Sequence, residues 1–135
     1  MKKRRYVGPT SLNHALAFII TNIAQIQKNQ LVLDPFVGTA SLLIAVSHFG
    51  GICFGWDIDI RVLKGDMYAG SVKDQSKRDI LTTFEDYGLA KPELIRMDNA
   101  FMTRHLNLPF AENSLQAIIT DPPYGILSII MFYSI

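Results

Sequence analysis

The sequence predicts an α/β protein built on a doubly wound, parallel sheet of about four strands. Three observations carry this. Short apolar runs alternate with segments of helical spacing. Each apolar run ends on an aspartate, namely Asp34, Asp57, Asp98 and Asp121. The first run also turns through Gly38 into the start of a helix, the sequence form of a strand, a close-approach loop and a helix N-terminus. In such sheets ligands bind outside the carboxyl ends of the strands, so the four acids are expected around one crevice. Aspartate often caps the helix after a strand, which accounts for one or two of them and poorly for all.

Residues 1–10 form a basic linker or tail, where Lys2, Lys3, Arg4 and Arg5 either stand in solvent or touch phosphate. From Ser11 to about Gln27, Leu12, Leu16, Ile19, Ile23 and Ile26 recur at helical spacing. Thr10 or Ser11 is the available cap, and the stripe is expected to pack on the sheet. Leu31-Val32-Leu33 is the first strand; Gly38 lacks a Cβ, so a ligand can lie against bare backbone there. A helix from about Ala40 to Phe49 stops at Gly50-Gly51.

Ile52 to Trp56 is a second buried strand leading into Asp57-Ile58-Asp59, with Cys53 and Trp56 as core. A short helix follows from Arg61 to Lys64, and a longer one from Arg78 to Tyr87, closed by Gly88. Leu94 to Met97 is the third strand and Gln116 to Thr120 the fourth. The domain therefore runs over 11–126, and residues 127–135 are an atypical apolar tail. The stretch Ile126 to Ile135 is expected to add to the open edge of the fourth strand or to pack over the sheet.

Bulk properties exclude several classes. At 135 residues, 49% of them apolar, the chain is one small domain or part of a larger one, with enough apolar surface for a core. No run reaches the ~20 apolar residues that cross a bilayer, and Gly8-Pro9 interrupts the pattern of a signal peptide. A soluble, cytoplasmic protein is expected. The single cysteine excludes an internal disulfide, and no Cys/His cluster has metal spacing; His14, His48 and His105 are scattered. Net charge is +1, but without Lys2 to Arg5 the body carries nine basic and twelve acidic residues. Such a body lacks the basic footprint that nucleic-acid binding needs, so an RNA substrate requires another domain or subunit.

A ring of carboxylates repels phosphates, and neither a three-glycine dinucleotide fingerprint nor a Gly-Lys-Ser/Thr loop is present. The acids suit a ligand carrying hydroxyls, an amine and a sulfonium, as S-adenosylmethionine does. Asp57 or Asp59 can accept the ribose hydroxyl hydrogens and Asp98 the adenine amino hydrogens. Ile58 is placed to pack on adenine, and Asp34, Pro35, Gly38 and Thr39 to hold the methionine end, whose carboxylate the helix N-terminus favours. Asp121, with the Pro122 carbonyl, can accept both hydrogens of an exocyclic base amine and so free its lone pair for attack. Pro122 and Pro123 stiffen that loop, and Tyr124 offers a stacking face to an extruded base.

In order, RRYVGPTSL, LVLDPFVGTAS, FGWDID and IITDPPYGI resemble the catalytic domain of the tRNA guanosine-10 N(2)-methyltransferase family, over about Lys2 to Ile126. The resemblance implies a Rossmann-like class I methyltransferase sandwich, here partial, with S-adenosylmethionine as donor and a guanosine 2-amino group in tRNA as acceptor. It also implies a separate RNA-binding domain, a small zinc-binding activating subunit in eukaryotes, and Thr10 and Ser11 near the cofactor. The family continues where this chain ends, so the tail is expected to be a truncation product or an alternative end. Ala40 stands where the family usually has a second glycine, and a positive φ there costs alanine about 1 kcal/mol. Two other readings stand beside this one: an inactive fragment serving as an interaction module, and a DNA adenine amino-methyltransferase, which shares Asp-Pro-Pro-Tyr.

Overall fold

A computed structural model describes residues 4, 6–8, 11–65, 79–101 and 114–123. Strands β1 (Leu31–Asp34), β2 (Ile52–Asp57), β3 (Glu93–Arg96) and β4 (Leu115–Ile118) form one sheet in the order β3-β2-β1-β4. All neighbours are parallel, with Val32 opposite Cys53 on one side of β1 and opposite Ala117 on the other. The chain thus starts at β1, steps outward twice, then crosses back to lay β4 on the far side. That reversal opens a crevice at the carboxyl end of β1, the usual ligand position in such sheets.

Helix α1 (His14–Ile23) precedes β1, α2 (Ser41–His48) connects β1 to β2, and α3 (Ile60–Lys64) and α4 (Ile80–Tyr87) lie between β2 and β3. Every residue of α2 from Ser41 to Ser47 is buried, consistent with its nearly continuous apolar sequence. Helix α4 starts in a capping box between Asp79 and Thr82 and closes at Gly88 with φ 66°. Cys53 is buried as expected; its thiol donates to the Leu43 carbonyl at 3.2 Å, and burial pushes it up to about 12.

Three sequence expectations are corrected. Helix α1 begins at His14 with Asn13 as its cap, whose side chain accepts from Ala15 N–H at 2.8 Å, so the helix starts later than expected and Ser11 does not cap it. It buries Ala17, Ile20 and Thr21, whereas Leu16, Ile19 and Ile23 are 44%, 54% and 63% exposed. Close packing on α2 favours the small Ala17, and the Thr21 hydroxyl donates to the Ala17 carbonyl at 2.8 Å, which satisfies it in the core. Third, Arg4 and Tyr6 are not part of a solvated tail: Tyr6 is 2% exposed and its hydroxyl donates to the Val62 carbonyl at 2.7 Å. Among the described residues no helix is long and apolar enough to cross a membrane. Lys2, Lys3, Arg5, Thr10, Arg78, His105, Tyr124 and the Ile126–Ile135 tail lie outside the described residues.

Candidate functional site

The site is built on the loop between β1 and α2. Its backbone turns twice through left-handed conformations, at Gly38 (φ 50°) and Ala40 (φ 64°). The loop is fastened to the end of β2, because Val37 N–H donates to the Trp56 carbonyl at 3.1 Å and Gly38 N–H to Asp57 Oδ2 at 2.9 Å. Such close approach requires Gly55 in β2. A Cβ there would lie 2.5 Å from Val37 Cγ2 and 2.7 Å from the Asp34 carbonyl oxygen. A Cβ at Gly38 would meet no atom nearer than the Phe36 carbonyl oxygen at 4.0 Å, so this glycine is required for its φ and leaves the wall bare. Ala40 occupies the N-cap of α2 and offers no side-chain acceptor, leaving first-turn N–H groups without a side-chain cap.

Against this loop lies a cavity of about 570 Å³. Asp34, Asp57, Asp98 and Asp121, the acids at the four strand ends, all line it. Gly38, Thr39 and Ile58 line it from the β1–β2 side, and Pro122 and Pro123 from the β4 side. Pro35 and Asp59 do not line it. Asp59 instead caps α3 and pairs with Arg61 at 2.6 Å, which holds its carboxyl down at about 2. Ser11 stands one layer behind the cavity, its hydroxyl 2.8 Å from Thr39 Oγ1 and accepting from Gly8 N–H at 2.7 Å.

Asp34 is the most deeply set acid, 1% exposed. Its Oδ1 accepts from Phe36 N–H at 3.0 Å and from the Thr120 hydroxyl at 2.9 Å. Burial pushes this carboxyl up to about 7; the two hydrogen bonds oppose the rise, and the charges of Asp121 and Asp57 add to it. Asp34 therefore joins the β1 loop to the segment that carries Asp121. Asp57 is engaged differently, with Oδ2 on Gly38 N–H and Oδ1 on Asp59 N–H, both at 2.9 Å. Each oxygen keeps a lone pair for a ligand.

Sequence reasoning missed two residues. Asn99 lines the cavity, accepts from Trp56 Nε1 at 2.6 Å and donates to the Pro35 carbonyl at 2.7 Å. Its adjacency to Asp98 at a strand end was the available signal. Arg4 donates from Nη1 to the Ser41 hydroxyl at 2.8 Å and also to the Thr39 carbonyl. No local pattern distinguishes it from the neighbouring basic residues. Among the described residues no His, Cys, Asp and Glu cluster is arranged to hold a metal.

Comparison with known proteins agrees with this architecture. Residues 2–65 match the family model described as RMKL-like, methyltransferase domain. The chain is 41% identical over 131 residues to the tRNA (guanine(10)-N(2))-methyltransferase TRMT11 of Mus musculus and 38% identical to that of Homo sapiens. Both matches cover 93% of this chain, and the chain spans 27% of the length of those relatives. TrmN from Thermus thermophilus has the same fold with a TM-score of 0.63 at 19% identity, over 87% of this chain and 30% of that one. The resemblance read from the four motifs therefore holds over nearly the whole chain, and the fold is Rossmann-like.

Proposed function

We propose, with this likeness as premise, that the chain is part of the catalytic domain of an enzyme that methylates the exocyclic 2-amino group of a guanosine in tRNA. The observation that carries the proposal is the convergence of the four strand-end acids on one cavity beside a glycine-bared loop. S-adenosylmethionine, when bound, supplies an electrophilic methyl group on a sulfonium. The residues present fit it. Asp57 offers two oxygens, each with acceptor capacity left, to a ribose diol. Ile58, 57% exposed, offers an apolar face that a purine would cover. The uncapped first turn of α2 and the bare Gly38 wall suit a carboxylate. Asp98, with Oδ1 on Ala100 N–H at 2.9 Å, keeps Oδ2 for an amino group.

On the facing side Asp121 and the Pro122 carbonyl accept the hydrogens of the base amine, which is delocalised into its ring and nucleophilic only when that delocalisation is broken. Pro122 and Pro123 restrict the backbone that aims these acceptors, so little reorganisation is needed when the base arrives. Tyr124 then stacks on the extruded base. An RNA-binding domain and a small zinc-binding activating subunit would provide the basic footprint that the body lacks, in the cytoplasm. In the full-length protein, Asp121→Ala should lower methyl transfer to tRNA by about 10³-fold or more while donor affinity by calorimetry changes less than about threefold. Surviving transfer would remove Asp121 from the mechanism, and acceptance of methyl by DNA rather than tRNA would redirect the substrate.

A further inference from the structure

Arg4 does not line the proposed donor cavity, yet it is tied to the cavity wall. The two groups it holds, the Thr39 carbonyl and the Ser41 hydroxyl, flank Ala40, the residue with φ 64°. The guanidinium therefore grips the loop on both sides of its left-handed residue. Behind the wall is a second cavity, of about 540 Å³, lined by Arg4 and sharing Ser41 with the first.

The charge on Arg4 is as telling as its position. Burial lowers its pKa to about 10, against the small opposing effects of Tyr87 and Tyr6, so it remains cationic at neutral pH. Among the described residues no carboxylate pairs with it, and its Nε is wholly buried without a partner. A half-buried cation that no described carboxylate neutralises is costly. Here it also stands at the N-terminal end of α2, where the helix dipole is itself positive. Two positive ends meeting at one wall call for an anion at that wall.

Resting on the donor reading of the larger cavity, we propose that Arg4 is a positioning residue for the donor's carboxylate: it fixes the Thr39–Ser41 turn and supplies the positive charge that selects a ligand with an anionic amino-acid end. A scaffold residue that only held the loop would affect all donors alike.

The test is calorimetric titration of the full-length protein with S-adenosylmethionine and with its decarboxylated analogue. Wild type should prefer the carboxylate-bearing ligand by about tenfold or more. Arg4→Gln should weaken S-adenosylmethionine about tenfold and the analogue less than about threefold, collapsing the preference. Arg4→Lys, which keeps the charge, should retain the preference within about threefold of wild type. Equal weakening of both ligands by Arg4→Gln, or no weakening, would overturn the proposal, as would a wild type without preference. Should Arg4→Gln not fold, a tenfold loss of preference in Arg4→Lys would overturn it. A wild type that binds neither ligand removes the donor reading, and the role of Arg4 with it.

Discussion

On the β1–β2 wall of the cavity, backbone N–H groups of Val37 and Gly38 donate to Trp56 and Asp57, Asn99 bridges Trp56 to Pro35, and Arg4 holds Thr39 and Ser41. On the β4 wall, the segment leading to Asp121 hangs on β1 through Ile119 N–H to the Leu33 carbonyl at 2.9 Å and the Thr120 hydroxyl to Asp34. The β1–β4 pairing is also irregular between Leu31 and Val32, and all of β4 is only half-buried. The contrast separates the two tasks of the site. The proposed donor wall is pre-shaped by the chain's own cross-ties, whereas the proposed acceptor wall is held by its strand pairing with β1 and by one buried carboxyl shared with the donor loop.

Asp34 is thus the joint between the walls, and its titration is the strongest way to break the comparison. Its folded pKa, about 7, lies above its ordinary value of 3.8, so between those values the folded state holds a proton that the unfolded state releases. That contribution is fully present below pH 4 and is lost as pH rises toward 7, by about 4 kcal/mol in all. Unfolding by urea should therefore show Asp34→Asn gaining on wild type by up to that amount from pH 4 to pH 8; parallel stability curves would mean that the joint is not buried as described. Next in size is Gly55→Ala, which should cost about 2–3 kcal/mol by forcing a Cβ against Val37 and the Asp34 carbonyl. A fall in Tm accompanied by loss of donor affinity would place the rigidity of the donor wall in this close approach, and an unchanged Tm would refute it. The smallest effect should be Ala40→Gly. Relief of the left-handed conformation, about 1 kcal/mol, is nearly cancelled by loss of a wholly buried methyl, about 0.8 kcal/mol, because Ala40 is 0% exposed. A net change below about 0.5 kcal/mol is expected in the same unfolding assay.

What was legible in the sequence follows the same division. Strand ends, the Gly38 turn and the convergence of the four acids could be read because an α/β crossover fixes where each strand must finish. The conformational demand on Ala40 was also legible, and φ is indeed positive there. The face of α1 was not. Its sequence, HALAFIITNI, is apolar on more than one side, so spacing alone could not choose between the stripe at Leu16, Ile19 and Ile23 and the one at Ala17, Ile20 and Thr21. A threonine that satisfies its own hydroxyl on the preceding turn reads as polar and behaves as core. Arg4 was illegible for another reason: whether a cation in a basic run is solvated or buried depends on a loop 35 residues away.

The lone thiol has a practical consequence. Cys53 lies mid-strand in β2 beneath Leu43 of α2, and at neutral pH its high pKa leaves almost no thiolate. Buried in the native chain, it should resist alkylating reagents, so each labelling event should clock a parting of helix and sheet. Timed alkylation read by mass spectrometry would report how often the molecule breathes, with no labelling site engineered into the chain.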